Sequence, residues 1–371
     1  MRWDDVSVAI GGRPVLRQVS MQALPGQILV VMGRTGSGKT TLLRAAAGLL
    51  EPSAGRISCD GKVLSDGLPP HRRDVAMMFQ QDDLYPHLTI AQNIHPTSPL
   101  PWKRQAVSDQ TRALANEFGI AELLDRRPHE ISGGQRRRAG IVKCLASNRK
   151  IRFLDEPFAG LDSAVADETA QSIRRHVVDP CGYTVIVTHD PRHALAIADQ
   201  IAVLDQGRCL QIGSPIDLRR RPHHRRVADA VHWLPIQTIS LSNFLFDLRS
   251  LRSPDIASSA NNDHSLAAAG IHRDRQDVWG GYAIEVGQMH RSDCESDWIL
   301  PFCASRDLGD DTVEVVTPSQ TRLRIHQTQI SDQKAIPSDA AMRLEGLLKV
   351  PRGQWWWFDA DGRRIDNAMG S

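Results

Sequence analysis

Residues 33–40 read Gly33-Arg34-Thr35-Gly36-Ser37-Gly38-Lys39-Thr40 and fit the P-loop spacing GxxxxGK[ST]. They follow the apolar run Ile28-Leu29-Val30-Val31-Met32 and open a helical stretch beginning Thr41-Leu42-Leu43. Five apolar residues that stop at a glycine read as a strand buried on both faces. Strand, glycine-rich turn and helix together make an anion receptor. The glycines let the backbone wrap close to phosphate oxygens, so that successive N–H groups and the helix N-terminus point at negative charge. Gly33 through Thr41 form that cradle. Lys39 adds a point charge for β- and γ-phosphates, and the Thr40 hydroxyl offers a ligand to Mg2+.

Further along the chain, Thr184-Val185-Ile186-Val187-Thr188 and Ile201-Ala202-Val203-Leu204 repeat the continuous apolar pattern. Helical candidates lie between the strands, among them Lys39 to Leu50 and Ser163 to Val178. Strands alternating with helices predict an α/β fold, a mostly parallel sheet covered on both faces. A further apolar run ends in Asp155-Glu156. Beside a P-loop, an Asp in that place holds the hydrated Mg2+, and the adjacent Glu can take a proton from water attacking the γ-phosphate. Ser132-Gly133-Gly134-Gln135, followed by Arg136-Arg137-Arg138, has the form of a second helix N-terminus built to receive an anion. Spacing does not explain why one chain needs two such receptors.

Composition bounds the remaining possibilities. The chain has 371 residues, 41% hydrophobic and 24% charged, which excludes a collagenous, coiled-coil or wholly disordered protein. A net charge of +2 leaves no bulk attraction to nucleic acid or acidic lipid. No stretch approaches 18 consecutive apolar residues, and the start, Met1-Arg2-Trp3-Asp4-Asp5, lacks the basic and apolar run of a signal peptide. Cys59, Cys144, Cys181, Cys209, Cys294 and Cys303 show no CxxC spacing, so thiols are expected rather than a zinc site or disulfide framework. Composition alone therefore predicts a soluble intracellular protein.

After Asp217 the texture changes. The basic run from Arg219 to Arg226, broken by Pro222, reads as a solvated helix end. The stretch 250–277 reads as a long loop. Beyond it, Thr312–Val316 and Arg322–His326 alternate polar and apolar residues, as half-exposed antiparallel strands do. Asp361-Gly362 reads as a hairpin turn, and Trp355-Trp356-Trp357 as packing residues rather than a base-stacking platform. The C-terminal third is thus expected to be a separate β-rich domain, with residues 1–235 before it, 236–371 within it, and the boundary near 228–240.

Five motifs in order resemble the nucleotide-binding subunit of ABC transporters. They are the P-loop, Phe79-Gln80 as a Q-loop, the signature Ile131-Ser132-Gly133-Gly134-Gln135, the strand ending in Asp155-Glu156, and His189 in Val187-Thr188-His189-Asp190. Ala159-Gly160-Leu161-Asp162 follows as a D-loop. The resemblance implies a P-loop NTPase domain that uses ATP and Mg2+, in a head-to-tail dimer with a second copy of the chain. Each ATP would then be gripped by one chain's P-loop and the other's signature helix, which accounts for two receptors. Ser132, Gly134 and Gln135 would meet the partner's nucleotide, Gln80 would reach Mg2+ and the attacking water together with Asp155 and Thr40, and His189 would hold the γ-phosphate.

Leu84-Tyr85-Pro86-His87-Leu88-Thr89 and Leu123-Leu124-Asp125-Arg126-Arg127-Pro128 look like the carbohydrate importer group of the maltose and glycerol-3-phosphate type. Trp357 to Ile365 resembles the closing strand and turn of that group's OB-like regulatory domain. The resemblance implies two permease subunits as partners, an indirect link to an extracytoplasmic solute-binding protein, no nucleic acid, and a peripheral place on the cytoplasmic face of the membrane. Polyamine, ferric-ion and oxyanion importers have closely similar ATPases. A soluble ABC protein acting on DNA or ribosomes would carry a coiled-coil insertion or two cassettes, and this sequence has neither.

Three positions depart from the pattern. Ile10 stands where an aromatic residue normally stacks on adenine, Ile131 replaces the usual leucine, and Arg152 falls inside a strand where an apolar residue is expected. A buried Arg there would need solvent or an acidic partner.

Overall fold

The computed structural model describes residues 1–80, 84–95, 108–147, 149–177 and 181–231 with their side chains, and the backbone of the strands between 237 and 358. It divides into two compact units, Met1–Arg221 and Pro222–Ser371.

The first unit runs β1 (Arg2–Ile10), β2 (Arg13–Gln22), β3 (Ile28–Met32), α1 (Lys39–Ala47), β4 (Ala54–Cys59), β5 (Lys62–Val63), β6 (Val75–Met78), α2 (Ile90–Ile94), α3 (Asp109–Glu117), α4 (Gly133–Leu145), β7 (Ile151–Asp155), α5 (Ser163–His176), β8 (Tyr183–Thr188), α6 (Pro191–Ile197), β9 (Gln200–Asp205), β10 (Arg208–Gly213) and α7 (Pro215–Arg220). Six strands form a sheet in the order β10-β9-β3-β8-β7-β6, parallel except for the β9–β10 hairpin. Every residue of β3 and of β8 is buried, as the continuous apolar runs require of strands covered on both faces. β2-β1-β4-β5 form a second, antiparallel sheet. In β1 the buried residues Trp3, Val6 and Val8 break strict alternation, because Asp5 adopts φ 50° and the register with β2 shifts there. One core cluster joins the two sheets through Trp3, Leu16, Leu42, Leu43, Phe153 and Val185.

The helix expected over 39–50 stops at Ala47. Gly48 takes φ 84°, a left-handed conformation open to glycine, and its N–H turns back to the carbonyls of Arg44 and Ala45. The end of α1 is bonded further by Arg73, which is 3% exposed. Its Nη1 donates to Ala45 and Ala46 at 2.9 Å each, and its Nε donates to the Leu68 carbonyl at 2.8 Å. Arg73→Met keeps the stem but leaves buried carbonyls unpaired. It is expected to cost about 2–4 kcal/mol, since each orphaned buried acceptor costs ~1–3 kcal/mol, measurable by urea denaturation.

The parallel register has a functional consequence. Met32 pairs with Thr188, Asp155 with Val187, and Met78 with Leu154. The P-loop, Asp155-Glu156, His189 and Gln80 therefore all leave the same edge of one sheet, the edge where α/β proteins bind ligands.

In the second unit α8 (Arg225–Val231) is followed by three antiparallel three-stranded sheets. One contains β11 (Gln237–Ser240), β12 (Trp279–Tyr282) and β19 (Trp355–Phe358); another β13 (Trp298–Phe302), β17 (Ile330–Ser331) and β18 (Gly346–Val350). The third contains β14 (Ala304–Gly309), β15 (Thr312–Val316) and β16 (Arg322–His326), so the two alternating stretches of sequence are adjacent antiparallel strands. The expected loop at 250–277 and the turn at Asp361-Gly362 lie outside the described residues. Among the described residues no helix is long and apolar enough to cross a membrane. Cys59, Cys144, Cys181 and Cys209 are free thiols.

Candidate functional site

The P-loop is held by close backbone packing. A Cβ on Gly33, at φ 154°, would lie 2.1 Å from the Leu204 carbonyl oxygen, so no side chain fits there. Gly38, at φ 103°, is the N-cap of α1 and lies against Leu16. The first turn of α1 carries no acidic side chain, which leaves its N–H groups for an external anion. Arg34, Thr35 and Gly36 form an exposed rim, while Thr40 and Thr41 are half-buried. Lys39 is 8% exposed, and its Nζ donates to the carbonyls of Gly33 at 2.8 Å and Arg34 at 3.0 Å. Burial pulls its pKa below the ordinary lysine range, with Glu156 and Asp155 pulling the other way. An arriving phosphate can take over those donors. The Ser37 hydroxyl is buried without a hydrogen-bond partner among the described residues.

Opposite the loop, Asp155 is 1% exposed and neither carboxylate oxygen has a hydrogen-bond partner among the described residues. Burial raises its pKa above the usual carboxylate range, and the nearby Thr40 hydroxyl is the main influence pulling the other way. An orphaned, buried carboxylate beside a threonine hydroxyl suits a hard, oxygen-seeking cation. No group of three or more His, Cys, Asp or Glu side chains able to hold a metal occurs among the described residues. A cation here must bring further oxygen ligands with it, as a nucleotide-bound Mg2+ does.

Glu156 sits in the left-handed region at φ 52°, which costs a non-glycine residue roughly 1–2 kcal/mol. Its N–H is fixed on the Val187 carbonyl at 2.9 Å. Its carboxylate meets His189, whose Nδ1 lies 3.0 Å from both Glu156 oxygens. His189 itself is exposed. These residues were legible in the sequence as neighbours of strand ends, but their pairing was not.

The signature residues build a capped helix. Ser132 Oγ accepts from the Gln135 N–H at 3.2 Å, and Gln135 Oε1 accepts from the Ser132 N–H at 2.8 Å. Gly134 faces the D-loop, where an added Cβ would sit 3.3 Å from Leu161. Gln80 is exposed beyond β6, and α4 holds its carbonyl through Arg137. Sequence reading missed Arg137, because a basic run after a capped helix start looks like a solvated face. It also missed His193. That ring is buried on α6, stacks 4.6 Å from Phe158 beside the D-loop, and lies 3.5 Å from Asp190 and 3.7 Å from Asp167.

The departures resolve differently. Ile10 is 47% exposed at the end of β1, an apolar face without π-stacking, whereas Trp3 is buried in the core and is no substitute. Ile131 is buried, as a leucine would be. Arg152 is half-buried rather than enclosed, which leaves part of it in contact with solvent, while its Nε and Nη1 have no hydrogen-bond partner among the described residues. Tyr85 is exposed and sits under Lys143, whose Nζ lies 4.5 Å from the ring centroid.

Residues 16–159 match the family model described as ABC transporter. The chain is 35% identical over 351 residues to a maltose/maltodextrin import ATP-binding protein, MalK, of Yersinia pestis, covering 93% of this chain and 89% of that one. It is 36% identical over 228 residues to an Fe(3+) ions import ATP-binding protein of Pseudomonas fluorescens and 35% identical over 234 residues to a trehalose/maltose import ATP-binding protein of Thermococcus litoralis. It spans 64% and 63% of the length of those two relatives. Among solved structures, an ATP-binding subunit of an ABC transporter superposes with a TM-score of 0.51 at 25% identity, over 59% of this chain and 92% of that one. A bacterial Atm1-family ABC exporter with ATP bound also gives 0.51, at 26% identity over 59% of this chain and 39% of that one.

Proposed function

The chain belongs to the ABC transporter ATP-binding family, and on that premise we propose that it hydrolyses ATP as the energy-coupling subunit of a solute importer. The observation that carries this reading is the convergence of Lys39, Asp155, Glu156 and His189 on one sheet edge behind an intact P-loop.

In the proposed mechanism the P-loop N–H groups from Gly33 to Thr41 and the Lys39 ammonium bind the phosphates. Asp155, Thr40 and Gln80 would hold Mg2+, which neutralises charge on the β- and γ-phosphates when bound. Glu156 accepts a proton from the attacking water as its oxygen bonds to the γ-phosphorus and the bond to the ADP oxygen breaks. His189 is placed by its Nδ1 contact to Glu156, which leaves its outer nitrogen for the γ-phosphate. Little covalent chemistry is asked of the protein, so positioning and charge supply the acceleration. Two copies close head to tail, with Ser132, Gly134 and Gln135 of each on the other's γ-phosphate and Ile10 against adenine.

The partners of this reading are two permease subunits, docked near the exposed Tyr85, and through them a solute-binding protein. The cargo class is a sugar or sugar phosphate, which the match along nearly the whole chain to a maltose/maltodextrin relative favours over the iron class. Residues 236–371 form an OB-like regulatory domain, and the protein sits peripherally on the cytoplasmic membrane face. Two measurements test this together. The purified chain should release phosphate from ATP only with Mg2+, and it should pellet with membranes only when its permease is co-expressed. Nucleotide binding without hydrolysis, or membrane-independent association with nucleic acid, would overturn the proposal.

A further inference from the structure

We infer that Arg137 is a positioning residue that links the two nucleotide sites of the dimer. The inference rests on the head-to-tail arrangement proposed above. Arg137 lies on α4, just past the Ser132–Gln135 capping box. Its Nη2 donates to the Gln80 carbonyl at 2.8 Å and its Nη1 to the Phe79 carbonyl at 3.3 Å. Both acceptors belong to the backbone leaving β6, so the link holds the chain that carries Gln80 whatever the Gln80 side chain is doing.

The neighbouring arginines serve other purposes. Arg136 donates to the Pro128 and Ile131 carbonyls, and Arg138 donates to the Phe118 carbonyl, all outside the parallel sheet. Among the described residues, Arg137 is the one of the three that bridges from the signature helix to the end of a sheet strand. A guanidinium suits this because its planar fork presents two N–H groups to two adjacent carbonyls, which an ammonium cannot do in one fixed geometry.

In the dimer, Gln80 serves the ATP on its own chain's P-loop, whereas Ser132 and Gly134 serve the ATP on the partner's. A stiff Arg137 link therefore makes the signature helix follow the Q-loop. When one site fills and Gln80 moves to it, α4 carries its N-terminus with it and prepares the other site. The link is a coupling between sites, not a contribution to chemistry at either.

The test is the ATP dependence of hydrolysis in the full-length protein. Wild type should show a Hill coefficient above one. Arg137→Gln should lower it to one and raise the half-saturating ATP concentration by roughly fivefold or more, the lower range of allosteric coupling, with kcat at saturating ATP much less affected. Arg137→Lys should fall between them. Combined with Gln80→Ala, Arg137→Gln should add little, because both act through one path. A lowered unfolding temperature with an unchanged Hill coefficient would reduce Arg137 to a structural clamp and overturn the inference. If Arg137→Gln does not fold, Arg137→Lys decides: a Hill coefficient equal to wild type overturns it. If no ATP-dependent closed dimer forms in wild type, the functional reading and the inference fall together. If the dimer forms and cooperativity survives the variants, only the inference falls.

Discussion

Glu156→Gln should reduce steady-state ATP hydrolysis by roughly 10²- to 10⁴-fold, the usual contribution of a positioned general base, while ATP still binds. The substitution is nearly isosteric, so the local fold should survive it. The left-handed backbone at φ 52° is as accessible to Gln as to Glu, and the bond from the 156 N–H to the Val187 carbonyl is untouched. What changes is the acceptor. His189 Nδ1 sits 3.0 Å from two equivalent carboxylate oxygens; in the variant one of them becomes an amide that cannot take a proton from water. Binding energy should therefore be retained and the chemical step lost, which accumulates the ATP-loaded state. Rapid-quench measurement of phosphate release against filter binding of ATP separates the two. Undiminished turnover would remove Glu156 from its role.

Asp155→Asn should act in opposite directions on stability and activity. Burial raises the folded-state pKa of Asp155 above its unfolded value. The stabilisation such a group contributes is complete below the unfolded pKa and is lost as pH rises through the folded one. At neutral pH the empty site therefore holds an unpaired buried carboxylate at a cost, and removing its charge should raise the unfolding temperature of the nucleotide-free protein. The gain should shrink as the pH is lowered through the raised pKa. Hydrolysis should fall at least about a hundredfold, because the proposed Mg2+ site would lose its anionic ligand. Adding Mg2+ and ATP should reverse the order of stability, since wild type gains more from binding. Differential scanning calorimetry at two pH values, with and without Mg2+–ATP, reads all of this. A variant less stable than wild type without nucleotide would show that Asp155 has a partner the structure does not display.

These two predictions rest on residues that could be read from sequence because their signals are local. A strand ending in glycines, or in two acids, announces itself within a few positions. The burial of β3 and β8 likewise follows from unbroken apolar runs. What escaped was long-range. Arg73 closes α1 from a loop beyond β5, Arg137 reaches from α4 to the end of β6, and His193 stacks beside the D-loop. Each looked like an ordinary polar residue in its own neighbourhood, and only tertiary contact gives it a purpose. The strained backbone of Glu156 is invisible for the same reason, since it occurs where the chain bonds to Val187 of the distant β8. The Ser132–Gln135 cap was legible from a four-residue pattern, as capping boxes are.

The proposed head-to-tail dimer shares each nucleotide between two chains. A photoreactive ATP analogue with its reactive group on the γ-phosphate tests this directly. It is bound to a mixture of a tagged Glu156→Gln chain and an untagged Lys39→Ala chain, the second of which lacks the phosphate-binding lysine. A shared site puts label on the Lys39→Ala chain within residues 131–138, because its signature helix closes over the partner's ATP. Label confined to the Glu156→Gln chain would contradict it.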